Sequence, residues 1–323
     1  MKNFLSFLLL ISTFISCKAL RQSGSASSEP NISNSNREQE MTGSQEIQKL
    51  SRVTGDSFIY SATSELKGLQ GNGIDNLDSL QRIINRMPNR ATLYLPDGNY
   101  YFSGTLKLEN KSIFLIGTGN TNFYFKEGVT GIYINKNNGY MPGRIEGINL
   151  FSNGESGLNS TKKRGHGIEI HALYDLKNIN IKNFGEDGVH TVADIGTLGS
   201  NASFNLYESV FVREVGGSAF YFHGGDASQT LVQRCGSWDV AGYGFWDDSF
   251  LGNQFVACMA HNSRKGHYRA DNGNNRTTIV GCYGEQDSPN SIFGGQTTVT
   301  GGVHGVEGKG YVIKTPWAKV YTH

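Results

Sequence analysis

Ser209-Val210-Phe211-Val212-Arg213, Arg234-Cys235-Gly236-Ser237-Trp238, Ala257-Cys258-Met259-Ala260-His261 and Gly281-Cys282-Tyr283-Gly284-Glu285 are four versions of one short strand, following one another at steps of 25, 23 and 24 residues. A second segment repeats in the same frame as Ala219-Phe220-Tyr221-Phe222, Gly244-Phe245-Trp246-Asp247 and Gly266-His267-Tyr268-Arg269. Two short β-rich segments per unit, at a period of 20 to 30 residues, describe a β-solenoid in which each coil stacks on the one before. The predicted fold is therefore all-β, a β-solenoid.

Composition points the same way. The chain has 42 Gly and only 6 Pro in 323 residues, which suits a backbone that turns many sharp corners. Runs of aromatic and β-branched residues lie between Gly and Asn clusters, the punctuation of strands. A formal net charge of +1 with no basic stripe gives no reason to expect nucleic acid.

Upstream of the solenoid the chain reads differently. Lys2 precedes an apolar run from Phe4 to Ile15, too short to span a bilayer and suited to a secretory signal. It ends in Phe14-Ile15-Ser16-Cys17, which resembles a bacterial lipobox, so residues 1–17 are expected to be a signal segment with Cys17 the lipidated residue. The competing reading is an ordinary signal peptide cleaved nearby. Residues 18–55 are rich in Ser, Asn, Glu and Gln and are expected to form a disordered tether. The expectation is an exported protein held to a membrane by a lipid anchor, with a folded domain over residues 56–323.

That domain opens with a helix. From Asn76 to Met87, Leu77, Leu80, Ile83, Ile84 and Met87 fall on one face, with Asp75 as N-cap and Pro88 beyond the end. Such a helix would cover the open end of the solenoid core. The segment Gly71-Asn72-Gly73, Asp75, Asp78-Ser79-Leu80-Gln81 and Ile83-Ile84, followed by Leu93-Tyr94-Leu95-Pro96-Asp97-Gly98-Asn99-Tyr100, resembles the opening of the pectate lyase superfamily of right-handed parallel β-helix proteins. Asn72 stands where that pattern has Asp, and Ser79 where it has Ala. The resemblance implies the fold: all-β, a single-stranded right-handed parallel β-helix with an N-terminal capping α-helix. The superfamily holds polysaccharide lyases, glycoside hydrolases, epimerases and phage tailspikes, so it implies an extracytoplasmic partner of polysaccharide type without choosing a reaction.

Strand alternation assigns faces. Ile148, Ile179, Val210, Cys235, Cys258 and Cys282 form one predicted inward column, and Leu150, Ile181, Val212, Ser237, Ala260 and Gly284 another. The three Cys are expected to be buried free thiols, because a metal site would use closer spacing such as Cys-x-x-Cys. In the second segment, Glu169, His190, Tyr221, Trp246 and Tyr268 are predicted to face outward in one column, with His171, His223 and Asp248 beside them. The aromatic rings Tyr221, Trp246 and Tyr268, with His171, are read as substrate contacts that stack on sugars. His190, His223, Asp248 and Glu169 are read as candidate acids and bases. Packing of aromatics along a sheet exterior explains the same column without a ligand.

A further outward column, Lys182, Arg213, Trp238, His261 and Glu285, offers Arg213 as a catalytic candidate, since β-helix lyases use Arg or Lys to take the proton beside a uronate carboxylate. An ion pair with Glu214 is its bland alternative. The loops 151–165 and 193–204, with Lys162, Lys163 and Arg164 at the end of the first, could wall a groove around Glu169, His171 and His190. Asp187, Asp226, Asp239 and Asp271 are scattered near bends and make no calcium cluster, and no cofactor is expected. The function read from this pattern is a lyase of uronic-acid polysaccharide. Its alternatives are a glycoside hydrolase, for which Asp247-Asp248 supplies adjacent carboxyls with Asp247 expected to face in, and a glycan-binding surface protein without turnover.

Overall fold

The computed structural model describes residues 59–61, 74–135, 141–154, 157–159, 164–193, 201–285, 289–301, 303–304 and 311–321. The signal segment, Cys17, the tether, the start of the domain near residue 56, Gly71-Asn72-Gly73, Lys162 and Lys163 lie outside these residues.

Every pairing between described strands is parallel, and the strands fall into a 16-stranded sheet and a 9-stranded sheet. The chain alternates between them: Tyr174–Lys182 and Leu206–Arg213 lie in the larger sheet, and Ile168–His171, Val189–Val192, Phe220–Gly224, Tyr243–Ser249 and Gly266–Ala270 in the smaller. This is a right-handed parallel β-helix, each coil adding one rung of about 4.8 Å to both sheets.

The inward columns of the larger sheet follow the expected register. Phe211 pairs with Gly236, Gly236 with Met259 and Met259 with Tyr283, which aligns Val210, Cys235, Cys258 and Cys282. The three thiols are free and buried. Each donates to a carbonyl of the preceding strand: Cys235 to Tyr207 (3.4 Å), Cys258 to Val232 (3.3 Å) and Cys282 to Phe255 (3.4 Å). Burial pushes the Cys258 thiol far above its ordinary pKa, so these groups behave as small core side chains. On the smaller sheet the core is an aromatic stack. Phe220 lies on Phe245 at 4.9 Å and 4°, and Phe245 on Tyr268 at 5.2 Å and 8°.

The helix spans Leu77–Arg86 and buries Leu80, Ile83 and Ile84. Asn76 rather than Asp75 occupies the N-cap position, but the Asp75 carboxylate still accepts from the Leu77 N–H (3.0 Å) and also from the Ser103 N–H (3.0 Å). It thus ties the helix start to the first coil. At the other end, Lys111 donates to the carbonyls of Ile84 (2.9 Å), Asn85 and Met87 (2.8 Å). A cation on the last-turn carbonyls satisfies otherwise unpaired acceptors and opposes the negative end of the helix dipole. Lys111→Ala is accordingly expected to lower stability by about 1–2 kcal/mol, measured by thermal or urea unfolding, with the coil strands unchanged by circular dichroism.

Candidate functional site

The outer face of the smaller sheet carries one continuous column. Tyr133 pairs with Glu169, Glu169 with His190, His190 with Tyr221, Tyr221 with Trp246 and Trp246 with Arg269. Beside it, Val192 pairs with His223 and His223 with Asp248. Period-two alternation puts these side chains outside because their neighbours Ile168, Ile170, Val189, Phe220, Phe222 and Phe245 fill the core.

Tyr268 does not belong to this face. It is 1% exposed and pairs with Phe245, so Arg269 takes the outward place next to Trp246. The coil step here is one residue longer than the match of Gly266-His267-Tyr268 to Gly244-Phe245-Trp246 implies, and a one-residue slip exchanges the two faces. The buried phenol is satisfied, donating to the carbonyls of Cys258 (3.1 Å) and Tyr283 (3.0 Å). The opposite register would place the Arg269 guanidinium in the core.

The rings of the column also present themselves differently from the sequence expectation. His190 stacks on Tyr221 at 4.9 Å, Tyr221 on Trp246 at 4.1 Å, and the Arg269 guanidinium lies 4.7 Å over Trp246. Both faces of Tyr221 and Trp246 are therefore covered by neighbours in the column. They offer a ligand their edges and, for Tyr221, a hydroxyl, instead of a free face for a sugar ring. Arg269 is held in place by Asp271, Nε to Oδ1 at 2.8 Å and a guanidinium nitrogen to Oδ2 at 3.3 Å.

Three polar groupings lie along this stack. In the first, His223 Nδ1 stands 3.2 Å from Asp248 Oδ2 and 3.2 Å from the Tyr221 hydroxyl. The His223 side chain is 47% exposed, the most open imidazole of the group. Burial first, and then the Asp248 charge, push the Tyr221 phenol up to about 12. Tyr221 is thus protonated at neutral pH, while Asp248 orients the imidazole of His223.

In the second, Glu169 Oε1 lies 2.8 Å from His171 Nε2. The His171 hydrogen bond, working against burial, holds the Glu169 carboxyl below its ordinary pKa.

The third grouping is His166, Asp187 and His190, with Glu186 at its edge. His166 Nε2 lies 3.1 Å from His190 Nδ1 and 3.2 Å from Glu186 Oε2, and Asp187 Oδ2 lies 3.3 Å from His166 Nδ1 and 3.4 Å from His190 Nδ1. Burial, joined by the positive charge of His166, depresses His190 to about 4. Burial also works against a charge on His166, but the Asp187 hydrogen bond and the Asp187 and Glu186 charges outweigh it and raise its pKa.

Sequence reading missed His166, Glu186, Asp187 as a partner, and Arg269. A signal for the first of these was present in the coil period. Ile168 pairs with Val189, so His166 and Asp187, 21 residues apart, sit at the same corner of adjacent coils. Gly167 and Gly188 follow them, and a Cβ there would lie 2.4 Å from Ile181 Cγ2 and 2.3 Å from Val212 Cγ1, respectively. Glycine lets both corners close down on the core.

Arg213 lies on the other sheet, away from this face. Its guanidinium sits 5.3 Å over the Trp238 ring, and Glu214 pairs instead with Lys182 at 2.9 Å. With Lys182, Phe151, Phe211, Asn149 and Asn180 it lines a shallow hollow of about 250 Å³. Asp247 faces inward as expected, fully buried in a hydrogen-bond network.

No family model matches the chain, and no curated protein matches it. Among solved structures it is similar to ORF18 of Geobacillus virus E2, with a TM-score of 0.52 at 14% identity over 82% of this chain and 61% of that one. It is also similar to the receptor-binding domain of the siphovirus 9NA tailspike, with a TM-score of 0.40, 14% identity, and coverage of 78% and 53%. The Agl-KA catalytic domain gives a TM-score of 0.34, 13% identity, and coverage of 85% and 69%. This chain spans about three fifths of the Geobacillus virus protein (61%), and at 14% identity that likeness is one of fold.

Proposed function

We propose that the protein is an extracytoplasmic, lipid-tethered member of the pectate lyase superfamily that takes an acidic polysaccharide along the outer face of its smaller sheet and cleaves it by β-elimination at a uronic-acid residue. The observation that carries this reading is the contact set Tyr221–His223–Asp248, in which the Tyr221 hydroxyl and Asp248 Oδ2 each lie 3.2 Å from His223 Nδ1 on an open surface. With Nδ1 protonated towards Asp248, His223 keeps a lone pair on Nε2 and is the general base.

His223 takes the proton on the carbon beside the uronate carboxylate. The electron pair of that C–H bond forms the ring double bond, the glycosidic C–O bond breaks, and Tyr221 gives its proton to the departing oxygen. The proton on His223 Nε2 then returns to Tyr221 through solvent, which restores both groups. Arg269, fixed by Asp271 at the far end of the ring stack, supplies positive charge for the substrate carboxylate. Glu169 and His171 lie two to three coils away on the same face and contact flanking sugars.

Hydrolysis fits this face less well, because it needs one carboxyl kept protonated. Glu169 is held ionised by His171, and Asp248 is committed to His223.

The test is incubation of the full chain with a panel of acidic and neutral polysaccharides, reading ultraviolet absorbance of unsaturated uronate together with new reducing ends. Both should rise on a uronate polymer. Reducing ends without absorbance would overturn elimination, and neither signal on any polymer would leave at most a binding protein. Arg213→Ala is expected to leave turnover unchanged, since Arg213 stands on the other sheet; a loss of activity with the fold intact would move the site there.

A further inference from the structure

We infer that His166, Asp187 and His190 form a binding site for a divalent transition-metal ion of the zinc type. The inference does not depend on which polymer the face takes or on whether it turns over.

Three lone-pair donors converge at this corner from two adjacent coils. His190 Nδ1 is 3.1 Å from a nitrogen of His166 and 3.4 Å from Asp187 Oδ2, and the other His166 nitrogen is 3.3 Å from the same oxygen. One donor atom from each residue can be chosen so that all lie within 4.8 Å of one another. Ligand atoms around a tetrahedral zinc ion, with bonds of about 2.0–2.1 Å, stand about 3.3 Å apart, so small side-chain adjustments bring this set onto one ion. Two imidazoles that meet nitrogen to nitrogen beside a carboxylate hold either a shared proton or a metal cation between them.

The backbone holds the donors in place. His166 and Asp187 occupy equivalent corners before the paired strands Ile168–His171 and Val189–Val192, and His190 is the second residue of the latter strand. Side-chain exposures of 15%, 14% and 17% leave an entry path. Glu186, with Oε2 3.2 Å from His166 Nε2 and 42% exposed, can swing in as a fourth ligand or leave that position to water.

The donor set selects the ion. Two imidazoles and a carboxylate suit zinc, cobalt or nickel. Calcium and magnesium require shells of oxygen and gain little from imidazole.

The full chain, untagged, stripped with a chelator and dialysed, is titrated calorimetrically with zinc chloride, and in parallel with cobalt chloride while recording the visible spectrum. Wild type should take up one zinc ion per chain at this site, give the intense visible bands of low-coordinate cobalt, and show no saturable heat with calcium. His166→Ala and Asp187→Asn should each weaken zinc binding by at least about a hundredfold, the upper end of what losing a mere second-shell partner costs, and should abolish the cobalt bands. His261→Ala, which removes an imidazole from the other sheet, should bind as wild type. Thermal melts report whether each variant is folded, and added zinc should raise Tm only where the site is intact. Absence of saturable zinc uptake by wild type, or uptake unchanged in folded His166→Ala and Asp187→Asn, would overturn the assignment.

Discussion

Replacing His223 with Ala is expected to lower kcat for uronate elimination by about 10²–10⁴-fold, the range that a positioned general base contributes, with little change in KM. The side chain is 47% exposed and supports no core contact, so the variant should melt with wild type. Tyr221→Phe separates chemistry from structure: it keeps the ring between His190 and Trp246 but removes the hydroxyl that touches His223. It should lower kcat by a comparable factor while the fold and KM stand. If Tyr221→Phe retains wild-type turnover, the departing oxygen takes its proton from another group and the acid assignment fails.

Asp247→Ala should have the largest effect on stability, about 3–5 kcal/mol, the cost of removing one partner from a buried charged network. The carboxylate is fully buried. It accepts from the Ser249 N–H (3.1 Å) and hydroxyl (2.6 Å), the Asn253 N–H (2.7 Å) and amide (2.9 Å), and the Thr277 hydroxyl (2.5 Å). Those donors belong to the turn that carries the chain from the smaller sheet back to the larger, and to the same corner of the next coil. Truncation takes the acceptor from the Ser249 N–H and hydroxyl and from the Asn253 N–H, while the Asn253 amide keeps the Ala227 carbonyl and the Thr277 hydroxyl keeps Asn275, and the penalty for buried unmet donors exceeds the net worth of the bonds themselves. Thermal unfolding should show Tm reduced by roughly 10 °C for a domain of this size. A fall of only a degree or two would mean that water or rearranged side chains replace the carboxylate.

The adjacent acids Asp247 and Asp248 thus have unrelated work, and alternation along a strand is enough to separate them. That separation was legible in the sequence, as were the solenoid, the inward cysteine column, the helix that covers the first coil, and the outward positions of Glu169, His171, His190, Tyr221, His223, Trp246 and Asp248. Each follows from period-two patterning repeated at the coil length.

What could not be read were features that depend on the unequal length of coils. His267-Tyr268 and Phe245-Trp246 are both adjacent ring pairs, so similarity alone aligned Tyr268 with Trp246. The deciding fact is that Arg269 and Ala270 follow Tyr268, and only one register keeps the guanidinium out of the core. Corner residues such as His166 and Asp187 were hidden for another reason. They precede the strands and obey no alternation, so only the 21-residue coil step brings them together. Stacking along the helix axis is likewise a property of neighbouring coils, and it turns an apparent row of sugar platforms into a closed column of rings that exposes its edges.

Mass spectrometry of the products released from a uronic-acid polymer by the full chain, compared with those from Tyr221→Phe and His223→Ala, tests the central claim most directly. The account predicts new non-reducing ends lighter by one water than hydrolysis would leave, produced by wild type and lost in both variants. Products carrying the added water, or unsaturated products formed equally well by both variants, would contradict it.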